Sequence, residues 1–110
     1  MTSYNNNLKV SRVIGFSRKE EDWNKWSKTF LAMATIKGYR SALIPENEDK
    51  NISSKDNVRA YSNLIIACQD NVVFGFIEEA TSVMFTNGDA KVAWRNLKEK
   101  FEPTTGASKI

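Results

Sequence analysis

Histidine is absent from the chain, and cysteine occurs once, as Cys68. The first absence removes the commonest general base and metal ligand. The second forbids an internal disulfide, and the two together exclude a zinc finger or zinc knuckle within these residues. No apolar run approaches the roughly 18 residues that cross a bilayer, and the opening MTSYNNNLKV has no apolar signal-peptide core. Phosphate-cradling P-loops, GxGxxG and the GxSxG nucleophile elbow are also missing. Paired carboxylates occur at Glu20–Glu21 and Glu78–Glu79. Neighbouring residues on a helix diverge by about 100°, so such pairs seldom converge on one atom. These absences predict a protein that is not an enzyme, with no metal, no cofactor, no small-molecule substrate and no membrane partner, working in a reducing, cytoplasmic compartment.

What is present suits one folded unit. At 110 residues the chain has room for a single core. Its 41% hydrophobic and 26% charged residues are the balance of an ordinary globular domain. A domain of this size buries about two-thirds of its unfolded surface, so large side chains must carry much of the stability. Three Trp, six Phe and three Tyr are available for that. The net charge of +3 comes from basic residues interspersed with acids, as in Lys19–Asp22 and Lys98–Lys100, rather than from one basic block.

Residues 1–12 form an expected flexible arm that opens on polar residues, while Leu8 to Phe16 is apolar but irregular, which suits an extended stretch laid across the core or a short strand. Ser17 and Glu20 have the S-x-x-E spacing of a capping box, predicting a helix over Arg18–Lys37 with the stripe Trp23, Trp26, Phe30, Met33, Ala34. Gly38 supplies its stop. After Tyr39 and Pro45, the polar run 46–51 reads as an exposed loop. Ser53, Ser54 and Asp56 are capping candidates for a second helix over Lys55–Val73, whose stripe is Val58, Tyr61, Leu64, Ile65, Cys68, Val72. The apolar run at 72–77 has the look of a buried strand as well, but its helical flanks favour continuation as helix, with a break near Asp70 or Gly75. Asn87, Gly88 and Asp89 precede the stripe Ala90, Ala93, Trp94, Leu97, Phe101, a helix of about three turns that must finish near Phe101 or Glu102 because Pro103 lacks a backbone N–H. The fold class is therefore all-α, a bundle of four to five helices over residues 13–103, with 104–110 expected as a linker or the cut end of a longer chain. Its core is Trp23, Trp26, Phe30, Tyr61, Leu64, Ile65, Trp94, Leu97 and Phe101. Helical spacing places the indoles in that core rather than on a base-stacking platform, and Cys68 with them as a structural thiol.

Function then falls to the outside. Lys91, Arg95 and Lys98 share one flank of the last helix, the best local basic patch for a nucleic-acid or protein partner. Val92 points away from the apolar stripe of that helix, a candidate for contact with a neighbouring chain.

Two stretches carry a resemblance. Phe16 to Phe30, FSRKEEDWNKWSKTF, is followed by Lys37, Gly38 and Tyr39; some fifty residues on comes Asp89 to Phe101, DAKVAWRNLKEKF. Together they resemble the Gag polyprotein of copia-type LTR retrotransposons, in which a turn precedes a helix with a central Trp, matched by Trp26, and a later helix carries the pattern matched by Ala90, Ala93, Trp94, Leu97 and Phe101. The resemblance spans residues 13–103, and the run Arg18–Asp22 departs from the family pattern. It implies a capsid N-terminal domain of the retroviral type, a structural module that self-associates into a virus-like particle enclosing RNA. The partners it implies are other copies of itself, with RNA held weakly or through segments outside this chain. An RNA-binding module and a domesticated, Gag-derived host adaptor are the alternatives.

Overall fold

The computed structural model describes residues 13–46 and 51–103. The expected arm at 1–12, the linker at 104–110 and the middle of the 46–51 loop lie outside the described residues. Five helices are present: α1 Glu20–Lys37, α2 Arg40–Leu43, α3 Ser54–Ala67, α4 Asn71–Glu78 and α5 Ala90–Phe101. No strand occurs among the described residues. The protein is all-α.

Helix α1 runs to its expected end. Gly38 adopts φ 88°, the left-handed conformation that glycine enters without a side-chain clash, and its N–H donates to the carbonyls of Ala34 and Thr35. The start differs from the capping-box expectation. The helix begins at Glu20, two residues late, and its N-cap Lys19 makes no side-chain capping bond. Arg18 takes φ 78°, a left-handed turn just ahead of the helix. The Ser17 hydroxyl instead accepts from the Lys19 N–H (3.1 Å) and donates to Asp22 Oδ2 (2.7 Å).

The second helix is shorter than expected. It is capped by Ser53, whose hydroxyl accepts from the Asp56 N–H, but it ends at Ala67 rather than Val73. Cys68 leaves the helical conformation, and the Ala67 carbonyl accepts from the Phe16 N–H (2.9 Å). Asp70 then starts α4 by accepting from Val72 N–H (2.9 Å) and Val73 N–H (3.4 Å). The break thus falls at Asp70, while Gly75 lies inside α4. Asp70 also meets Arg18 Nη1 at 3.3 Å, so one carboxylate closes both the α3–α4 corner and the entry to α1. Asp70→Ala is expected to lower stability by about 1 kcal/mol, the usual worth of an N-cap. The exposed Arg18 pair adds little to that. A urea unfolding curve beside wild type checks it.

The core sits where α5 meets α2, α3 and α4, with α1 closing one side through its rings. Trp23, Trp26, Phe30, Leu64, Trp94, Leu97 and Phe101 are all buried. Trp94 packs against Trp23 at 5.6 Å between ring centroids, Trp26 at 5.8 Å and Phe30 at 5.7 Å. Phe16 joins the cluster from the extended stretch, 4.8 Å from Trp26 and 5.1 Å from Phe101. Residues 13–17 carry no regular secondary structure and are tied to the core by the Trp26 indole N–H donating to the Ile14 carbonyl (2.7 Å). Two expected core residues, Tyr61 and Ile65, are only partly buried and pack on its edge. Val58 and Val72, expected on the inward stripe, are exposed. The inward face of α3 is Asn57, Ala60, Leu64 and Ala67, because a polar residue, Asn57, lies inside.

Cys68 is fully buried, and burial pushes its thiol up from 9.0 to about 12. Tyr39, also fully buried, is pushed up from 10.0 to about 12 by burial, against the pull of Arg59 lying 5.4 Å over its ring. Both groups favour their neutral form in the folded state. Their contribution is complete below the unfolded values and is lost as pH rises from about 9 towards 12, because the unfolded chain ionises first. Stability is expected to fall across that window by up to about 1.4 kcal/mol per pH unit per group. Urea midpoints measured at pH 8 and pH 10.5 test this, and Cys68 should react with a thiol reagent only on unfolding.

Candidate interaction surfaces

Asp89 builds the amino end of α5. Its Oδ1 accepts from Lys91 N–H (2.9 Å) and Val92 N–H (3.3 Å). Behind it, buried Asn57 of α3 donates to the Gly88 carbonyl and accepts from the Ala90 N–H, both at 2.8 Å. Gly88 has φ 144°, and a Cβ there would fall 2.5 Å from the Tyr61 ring. The α5 register is therefore clamped to α3, and the orientation of every outward residue of α5 follows from that clamp.

With Ala90, Ala93, Trp94, Leu97 and Phe101 turned inward, Lys91, Arg95 and Lys98 come together on one flank. Arg95 and Lys98 are exposed, and Lys91 is half-buried at the base. Among the described residues the ion pairs are Arg18–Asp70 and Arg59–Asp56, so the flank is not tied up internally. Val92 is not on an open face as expected. It is partly buried against the core, since α4 lies along that side of α5 and Asn96, one turn on, reaches the Phe76 carbonyl. The groove on that side is lined by Glu79 and Glu99 with Lys100, so its charge is mixed, whereas the Lys91 side carries three cations.

Three exposed apolar features accompany this flank. A cleft of about 310 Å³ lies between the extended stretch and α1, lined by Ile14, Trp26 and Thr29 with Asp22 and Lys25 at its rim. A second, of about 380 Å³, lies between α3 and the loop before α5, lined by Val58, Tyr61, Ser62, Met84 and Phe85. The third is the outer side of α3, where Val58 and Ile66 stand 59% and 58% exposed. The sequence hides the last two, because its periodicity places Val58 on the apolar stripe of that helix. The signal was there in the step of four from Val58 through Ser62 to Ile66, readable only once Asn57 is accepted as an inward residue.

No protein-family model, curated protein or solved structure matches this chain. Among the described residues no group of three or more His, Cys, Asp and Glu side chains is placed to hold a metal ion, and no helix is long and apolar enough to cross a membrane. The surfaces are two clefts, one exposed apolar helix face and one basic flank.

Proposed function

We propose that this chain is a Gag-like capsid N-terminal domain of the copia type, a structural module whose copies associate into a particle enclosing RNA. One observation carries the reading: the two stretches that resemble that family, more than fifty residues apart, meet in one interior. Trp26 and Phe30 from the first lie against Trp94 from the second, and Ala90, Ala93, Leu97 and Phe101 are buried with them. In a shared core, each motif residue has a packing role that depends on the other stretch. The remaining surface offers several small apolar areas, which suits weak contacts multiplied over many copies. Sedimentation velocity over rising concentration, with negative-stain electron microscopy of the same samples, is expected to show mass increasing with concentration and assemblies of regular curvature. A strict monomer at every concentration would contradict the proposal.

The Lys91–Arg95–Lys98 flank favours RNA contact as a second reading. Three phosphate contacts by these cations would give an affinity for single-stranded RNA that falls with salt with a log–log slope of about −2. Replacing all three by alanine is expected to remove that salt dependence and leave stability within about 0.5 kcal/mol of wild type. A fluorescence-anisotropy titration at two salt concentrations tests it, and salt-independent binding would exclude this flank as the site.

A further inference from the structure

The loop between α4 and α5 is hydrogen-bonded along its length. The Ser82 N–H donates to the Phe85 carbonyl (3.2 Å), the Phe85 N–H donates to the Ser82 hydroxyl (3.0 Å), and the Asp89 N–H donates to the Ala80 carbonyl (2.8 Å). Phe85–Gly88 forms a β-turn, closed by the Gly88 N–H donating to the Phe85 carbonyl at 3.2 Å, with Thr86 and Asn87 exposed at its corner. Packing dictates the glycine at the end of that turn: at φ 144° it lies against the Tyr61 ring, where a Cβ would stand 2.5 Å away. Asn87 is thereby followed by the one residue type that sets no side chain in the way of its own backbone nitrogen. Every other asparagine of the chain is followed by a residue with a side chain.

We infer that Asn87 is a self-modification site, at which the backbone nitrogen of Gly88 attacks the Asn87 carboxamide. The nitrogen gives its proton to water and bonds to Asn87 Cγ; the bond from Cγ to the amide nitrogen breaks, and ammonia leaves with a proton taken from water. A second water then opens the resulting succinimide at either carbonyl. One opening restores the ordinary backbone and leaves aspartate, and the other leaves isoaspartate, with the side-chain carbon carried in the main chain. Water is the sole co-reactant.

The fold sets the rate of this chemistry. In the native turn the attacking nitrogen is engaged by the Phe85 carbonyl, Gly88 is buried, and its own carbonyl accepts from Asn57 at 2.8 Å. The nitrogen reaches Cγ only when the turn opens, so the reaction runs through a locally opened state. Asn57 is a positioning residue here: by holding Gly88 and Ala90 on one amide it keeps the turn closed. The isoaspartate product undoes that hold, because an extra backbone carbon ahead of Gly88 shifts its carbonyl out of register with the Ala90 N–H. Either product also adds a carboxylate four residues before Lys91, at the foot of the basic flank.

Peptide mapping by mass spectrometry of the folded chain, incubated at neutral pH, tests the site. A gain of one mass unit is expected at Asn87 before any other asparagine, with aspartate and isoaspartate forms both present. Asn57→Ala should speed the reaction at least about tenfold, since losing two buried hydrogen bonds raises the open population by that factor or more. Wild type in urea, where the turn is open, should react faster than wild type in buffer, and this arm decides the question even where Asn57→Ala folds poorly. Asn87→Gln, whose longer side chain disfavours the ring closure, is expected to stay intact. In the isoaspartate fraction, separated by cation exchange, the Ala90 amide should have lost its hydrogen-exchange protection. An Asn87 that stays intact in the folded chain, that reacts no sooner than the other asparagines, or that reacts equally fast with and without urea would overturn the inference. Full protection of Ala90 in the isoaspartate fraction would overturn the link between the modification and the clamp.

Discussion

Trp94→Ala is expected to lower stability by about 3–5 kcal/mol, the range for removing a large buried aromatic. The indole is 4% exposed and contacts three rings of α1, so its loss leaves a cavity between α5 and α1 that rigid aromatic neighbours cannot close. Domains of this kind have total stabilities of about 5–15 kcal/mol, so the variant sits near the edge of folding. Its urea midpoint should fall by roughly 2 M, given a slope of about 1–3 kcal/mol per M. Arg95→Ala, one residue along but exposed, is the control and should move stability by no more than about 0.5 kcal/mol. Equal midpoints for the two variants would mean that α5 does not bury Trp94.

Asn57→Ala comes next in size, at about 3 kcal/mol. Its amide satisfies two buried backbone groups, the Gly88 carbonyl and the Ala90 N–H, and alanine satisfies neither. Each buried group left without a partner costs about 1–3 kcal/mol. The loss is local as well as global, since the same amide holds the amino end of α5 to α3. The Ala90 amide should therefore lose its hydrogen-exchange protection in the variant while the amides of α1 keep theirs. Ser62→Ala, on the opposite face of α3, should leave both stability and exchange unchanged. Retained protection at Ala90 in Asn57→Ala would show that the clamp is not made through this side chain.

The same two sites show what the sequence reveals and what it hides. Helices α1 and α5 were legible because each combines a stripe at steps of three and four with a stop or start whose chemistry is local: Gly38 in the left-handed conformation and Asp89 capping Lys91 and Val92. Where the deciding interaction is distant, reading failed. The Ser17–Glu20 spacing promised a capping box, but Arg18 is drawn to Asp70, fifty-two residues away, and the chain turns before the helix begins. The run from Lys55 to Val73 looked continuous, since the break depends on Phe16 engaging the Ala67 carbonyl and on Asp70 capping a new helix. Helix α2 has four residues, too few for any periodicity, although it buries Ala42 and Leu43. Asn57 hid the true face of α3, because a polar residue is assigned outward unless its partners are known. The basic flank of α5 could be read from spacing alone. Val92 could not, because what covers it is α4, whose position no local pattern encodes.

Everything proposed for the exterior depends on the two distant stretches sharing one interior, and proton NMR on the indoles addresses that most directly. Nuclear Overhauser cross-peaks are expected between the ring protons of Trp26 and Trp94 and between those of Phe30 and Trp94, whose centroids lie 5.8 and 5.7 Å apart. Cross-peaks confined to neighbours within each stretch, with none joining Trp94 to Trp26 or Phe30, would contradict the account.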